Sequence, residues 1–132
     1  MIFVDSSFWI AVRNDRDAHH REAVTLMSST GEAHLVTSNH VRGETWTFLR
    51  SKAGHASAVA YLESTTASPR LDVVHIPVEM EDVAVAWLRR HDERRYSFVD
   101  ATSFALMRSM KIKDALAFDG DFTAAGFREL RP

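Results

Sequence analysis

Two rhythms of apolar residues alternate along this chain: short runs of three to six, and stripes at helical spacing. Ile2-Phe3-Val4 reads as a buried strand, closed by Asp5-Ser6-Ser7, residues that cap a helix over Phe8 to Val12. Asp17 to Met27 predicts a helix with an early acid and with Ala18, Ala23, Val24 and Met27 on its apolar side. His34 to Thr37 predicts a strand, after which Ser38 or Asn39 caps a helix running to about Ala53, where Gly54 stops it. A further helix covers Ala56 to Ser64, and Pro69 and Pro77 bracket a strand from Leu71 to Ile76. Glu79, Glu81 and Asp82 suit the first turn of the next helix, and Arg89, Arg90, Arg94 and Arg95 load its far end, as the helix dipole favours. Ser97 to Met110 predicts a helix, Ala115 to Phe118 a strand, Asp119-Gly120-Asp121 a turn, and Phe127 to Leu130 a last strand after a short helix. Short strands alternating with longer helices predict an α/β fold with a covered, parallel sheet.

Composition narrows this picture. With 132 residues and neither repeat nor linker, the chain is expected to form a single domain over 1–132. No apolar run approaches the ~20 residues that span a bilayer. The first residues lack the basic segment of a secretory signal, so no membrane association is expected. The absence of Cys excludes disulfides, thiolate metal sites and a cysteine nucleophile, and fits a cytoplasmic protein. The net charge of −2 argues at first against a nucleic-acid partner. Setting four candidate metal-binding acids aside leaves 14 acidic against 16 basic residues, so overall charge decides nothing.

Those four acids carry the chemistry. Asp5 directly follows an apolar strand, the place where ligand sites gather in open α/β folds, although it also suits a helix cap. Glu44 lies three residues after Val41 and four before Phe48, which places it on the apolar stripe of its helix, where a carboxylate is costly unless paired. Gly43 beside it permits a close backbone approach or is a simple surface residue. Asp100 fits a capping box opened by Ser97, and Asp119 fits a turn with Gly120, yet Asp119 also follows its strand as Asp5 follows the first. Asp121 adds a fifth carboxylate. If these acids converge, pairs about 5 Å apart repel by roughly 3 kcal/mol at an effective dielectric near 20. A cation between them removes that cost, and an oxygen-only set with no Cys points to Mg2+ or Mn2+. Such an ion suits phosphodiester hydrolysis.

Ile2-Phe3-Val4-Asp5-Ser6-Ser7, Glu44 on its helix, Ser97-Phe98-Val99-Asp100-Ala101 and Ala117-Phe118-Asp119-Gly120-Asp121-Phe122 resemble, in order and spacing, the motifs of PIN-domain ribonucleases of the VapC type, the toxins of bacterial toxin–antitoxin pairs. The resemblance covers almost the whole chain. It implies a three-layer α/β/α fold around a roughly five-stranded parallel sheet, and endonucleolytic cleavage of RNA, of the tRNA or rRNA class, with Mg2+ or Mn2+. It also implies that Asp5, Glu44, Asp100 and Asp119 form the acidic quartet, that Asp121 adds a metal ligand and that Ser7 supports the site by hydrogen bonding. A homodimer and a small cognate antitoxin protein are implied as partners. Gly120 departs from the pattern, since relatives often carry a basic residue there.

Other signals have plainer readings. His19 and His20 are adjacent and face different ways, and no HExxH pattern exists, which leaves little for a histidine metal site. Arg89, Arg90, Arg94 and Arg95 could contact RNA phosphates or simply be solvated. Trp9, Trp46, Phe48 and Trp87 read as core or interface residues, with base stacking as the alternative. Three other functions stay open: a small phosphatase of the haloacid-dehalogenase type, which wants a second Asp where Ser7 stands; a receiver-like module, which wants adjacent acids after the first strand and a late Lys; and a non-catalytic PIN-like interaction module.

Overall fold

All five strands of this protein run in one direction. The computed structural model describes residues 1–132. In it β1 (Ile2–Val4), β2 (Leu35–Ser38), β3 (Leu71–Val74), β4 (Asp114–Leu116) and β5 (Arg128–Glu129) form one sheet in the order β3-β2-β1-β4-β5. Every pairing is parallel, with Ile2 opposite both Leu35 and Asp114. The chain thus builds outward from β1 to β3, then returns to the other side of β1. Such a reversal opens a crevice beyond the carboxyl ends of the two strands that flank it. Asp5 stands directly after β1 and Asp119 three residues past β4, so both border that crevice. The order also differs from the 2-1-3-4-5 arrangement of receiver domains, which removes that reading.

Seven helices cover the sheet to give the three-layer α/β/α architecture: α1 (Ser6–Arg13), α2 (His20–Ser29), α3 (Asn39–Lys52), α4 (His55–Ala67), α5 (Val78–Arg90), α6 (Phe98–Ser109) and α7 (Asp121–Ala124). Phe3, Val4, Val36, Ala115 and Leu116 are fully buried, because strands covered on both faces take continuous apolar runs rather than an alternation. From α6, residues 100–107 are all buried, and Phe104 meets the rings of Trp87, Tyr96, Phe122 and Phe127. No helix is long and apolar enough to cross a membrane.

Local chemistry shifts several expected boundaries. Helix α2 begins at His20, because the Asp17 carboxylate accepts the His19 N–H at 2.8 Å and closes a turn where a helix was expected. Helix α5 ends at Arg90, so Arg94 and Arg95 lie beyond it rather than on its last turn. On α3 the buried stripe is Val41, Thr45 and Leu49, and Phe48 is exposed. At 100° per residue, Glu44 sits roughly 100° from the centre of that stripe, on the exposed side of the helix rather than its inner face.

A carboxylate pocket at the strand switch point as the candidate active site

Asp5 is only 1% exposed. Its Oδ2 caps α1 by accepting the Ser7 backbone N–H at 3.2 Å, and it also accepts the Ser7 hydroxyl at 2.8 Å. That hydroxyl in turn accepts the N–H of Phe118 at 3.1 Å, so Ser7 joins the end of β1 to the segment following β4. The other oxygen, Oδ1, is buried with no hydrogen-bond partner. Buried polar atoms are nearly always paired, so this oxygen marks a place where something else belongs.

The remaining aspartates divide their oxygens in the same way. Asp100 closes a capping box with Ser97, its Oδ2 accepting the Ser97 N–H at 2.9 Å while its own N–H donates to Ser97 Oγ at 2.9 Å. Asp119 Oδ1 accepts the Asp121 N–H at 3.1 Å across a turn in which Gly120 adopts φ +81°, a left-handed conformation that suits glycine. Asp121 Oδ1 accepts Arg94 Nε at 2.9 Å. Capping and catalytic readings of these residues are therefore compatible: one oxygen holds the local backbone or a side chain, and the other remains available. Carboxylate oxygens from Asp100, Asp119 and Asp121 lie within 4.8 Å of one another.

The electrostatics follow from this crowding. Burial, then the charges of Asp119 and Asp100, push the Asp5 carboxyl up to about 8, against the opposing hydrogen bonds from Ser7. Burial, followed by the charges of Asp119 and Asp121, raises Asp100 to about 7 even though Ser97 hydrogen bonds oppose it. Asp119, at the mouth of the pocket, is raised as well, by lost hydration and by its neighbours Asp121 and Glu129. The three grouped carboxylates, with no nitrogen or sulfur donor among them, fit a hard divalent cation, and the unpartnered Asp5 oxygen belongs to a carboxyl that feels the charges of two of them.

Glu44 stands apart from this group. Its Oε1 accepts the Ser6 hydroxyl, which ties α3 to the first residue of α1, immediately after Asp5. Nothing in the sequence distinguishes Ser6 from Ser7 beside it, so its contact with Glu44 leaves no local signal. Of the four basic residues Arg89, Arg90, Arg94 and Arg95, Arg94 alone hydrogen-bonds to these acids, with Nη2 also donating to the Asp119 carbonyl at 3.3 Å. The His19 ring stacks on Phe118 at 4.5 Å, beside Asp119 and Ser7 in a cavity of about 300 Å³, and Phe48 lines the same cavity.

Residues 2–128 match the PIN domain family model. The chain belongs to the PIN-domain family. Among curated proteins it is 54% identical to the 23S rRNA-specific endonuclease VapC20 of Mycobacterium tuberculosis, from strain CDC 1551 / Oshkosh and from strain ATCC 25618 / H37Rv. Both alignments span 132 residues, covering 100% of this chain and 99% of each relative. Among solved structures, the crystal structure of the M. tuberculosis VapC20, described as a sarcin–ricin loop cleaving toxin, superposes with a TM-score of 0.95 at 53% identity over the whole of both chains. These matches bear out the PIN-like α/β/α architecture and the VapC-type resemblance, and they carry the endonuclease class with them. PIN nucleases work with a divalent metal, and the all-oxygen donor set of Asp100, Asp119 and Asp121 fits such an ion.

Proposed function

We propose that this chain is an Mg2+- or Mn2+-dependent endoribonuclease that cuts 23S rRNA and serves as the toxin of a toxin–antitoxin pair. The observation that carries this reading is the buried, unpartnered Asp5 Oδ1, on a carboxyl whose pKa is raised by burial and by the charges of Asp119 and Asp100, a cost that a cation among these acids would remove. The extent and degree of identity to the VapC20 endonucleases supports rRNA as the substrate class. The reading takes the chain as one domain over 1–132, acting in the cytoplasm as a homodimer silenced by a small antitoxin protein.

Asp5, Asp100 and Asp119 would hold the ion through their free oxygens, with Asp121 at the rim. When bound, the ion supplies a water of lowered pKa and neutralises charge at the phosphorus. Within that frame the protein's own groups have distinct tasks. Ser7 fixes the Asp5 carboxylate and keeps the two strand ends together. The Ser97 capping box fixes Asp100. Glu44, held by Ser6 through Oε1, would use its second oxygen to hold a water at the ion or to complete the ion's ligand set. Burial of Asp5 keeps bulk water away from the deepest donor.

The test is cleavage of ribosomal RNA by the purified full chain in Mg2+ or Mn2+, with cut positions mapped by primer extension. Cleavage at one position, abolished by chelator, by Asp5→Asn and by Asp119→Asn, is the expected result. Intact RNA under all metal conditions, or cleavage that survives Asp5→Asn, overturns the reading.

A further inference from the structure

A carboxylate pocket is a poor place to receive a polyanion. Four ionised acids outweigh one divalent ion by two charges, so an RNA backbone approaching the site meets net repulsion unless a further cation stands close by. Among all Lys and Arg side chains, Arg94 alone makes a hydrogen bond to a residue of the Asp5, Asp100, Asp119 and Asp121 group. Its placement is specific. Nε bonds Asp121 at 2.9 Å and Nη2 bonds the Asp119 carbonyl at 3.3 Å, while Nη1 makes no hydrogen bond to protein and the side chain is 42% exposed. The guanidinium lies against Gly120, where an added Cβ would stand 3.4 Å from Arg94 Nη2. Exposed ion pairs add little to stability, so the contact is better understood as positioning the guanidinium than as holding the fold. A planar fork with donors to spare, already fixed on two sides, is suited to a phosphate oxygen because little side-chain freedom remains to be lost on binding.

We propose that Arg94 is a phosphate-binding residue of this site: Asp121 and the Asp119 carbonyl hold its guanidinium at the rim of the pocket, where the free Nη1 takes a backbone phosphate of the RNA. Asp121 is then chiefly the anchor of this cation. The inference deepens the endonuclease reading and rests on it. In this arrangement one turn, residues 119–121, supplies a metal-binding acid in Asp119 and both anchor points of the substrate-binding cation, so ion and RNA are registered against the same piece of backbone.

The experiment compares wild type, Arg94→Ala, Arg94→Lys and the uncharged Arg94→Gln as full chains. Each is assayed for cleavage of an RNA hairpin carrying the sarcin–ricin loop sequence across a KCl series, and for Mn2+ binding by calorimetry without RNA. Loss of one phosphate contact should flatten the dependence of log(kcat/KM) on log[salt] by about 0.7 for Ala and Gln. These two variants should also lose tenfold or more in kcat/KM, with Mn2+ affinity unchanged or tighter. Arg94→Lys should recover the salt slope and only part of the rate. Variants that match wild type in slope and kcat/KM overturn the inference, and so does Mn2+ affinity falling in step with cleavage, which would make Arg94 a prop for the acids. If Arg94→Ala does not fold, Arg94→Gln is read in its place. A wild-type chain that leaves the hairpin and ribosomal RNA intact removes the endonuclease reading itself, whereas wild-type cleavage with indifferent variants removes only this inference.

Discussion

Replacing Asp5 with Asn should make the metal-free protein more stable above neutral pH. The Asp5 carboxyl titrates at about 8 in the folded chain against an ordinary 3.8, so the folded state holds this proton far more tightly than the unfolded one. A raised acid of this kind destabilises the fold progressively as pH climbs from the unfolded value to the folded one. At 1.36 kcal/mol per unit, the cost is roughly 6 kcal/mol at and above pH 8, but only about 2 kcal/mol at pH 5. Metal-free wild type should therefore lose on the order of 4 kcal/mol between those two pH values, or ~10–20 °C in Tm for a domain of this size. Asn carries no charge to bury, and its amide oxygen still accepts the Ser7 N–H, so the cap on α1 survives the substitution. Scanning calorimetry in EDTA at pH 5 and pH 8 reads this directly. The variant should melt well above wild type at pH 8 and close to it at pH 5, keeping the residual pH slope contributed by Asp100 and Asp119. Mn2+ at pH 8 should raise wild type strongly and the variant much less. If the variant melts at or below wild type at pH 8 in chelator, the buried charge is not the source of strain, and the case for a cation site weakens with it.

Other outcomes follow from the same geometry. Ser7→Ala removes the link between Asp5 and the Phe118 N–H, and should cost about 1–2 kcal/mol in urea unfolding while lowering Mn2+ affinity; a variant of unchanged affinity would show that Ser7 does not position Asp5. Ser6→Ala should leave stability within ~0.5 kcal/mol yet slow RNA cleavage several-fold, because it frees Glu44; undiminished cleavage would remove Glu44 from the water-orienting role. Phe104→Ala opens a cavity among four aromatic rings and should cost about 3–5 kcal/mol in denaturant melts; a loss under 1 kcal/mol would mean the ring cluster collapses to fill the gap.

What could be read from the sequence was whatever short-range chemistry writes into it. Continuous apolar runs identify β1 and β4 as covered strands, and Asp5-Ser6-Ser7 and Ser97 to Asp100 announce caps that the structure contains. The four motifs in order placed the chain in its family and named the acids of the candidate site. Long-range geometry was less legible. Glu44 looks core-facing if Phe48 defines the stripe, but Leu49 defines it, and nothing local to α3 reveals which of the two meets the sheet side. The Ser6 contact to Glu44 spans 38 residues and the Arg94 contact to Asp121 spans 27, so neither leaves a trace at helical or strand spacing. Asp17 shows the opposite case, where an acid that reads as an early helical residue forms its own turn and delays the helix to His20.

The bond from Phe118 to Ser7 spans 111 residues, and it has a consequence for how the protein comes into being. On a translating ribosome, Asp5, Glu44 and Asp100 emerge well before residues 114–121, and β1 lacks one of its two neighbours until then. Fragments left by stalled synthesis or early proteolysis would hold most of the acids but no common pocket. The carboxylate group, on this account, is assembled only with completion of the last structural turns.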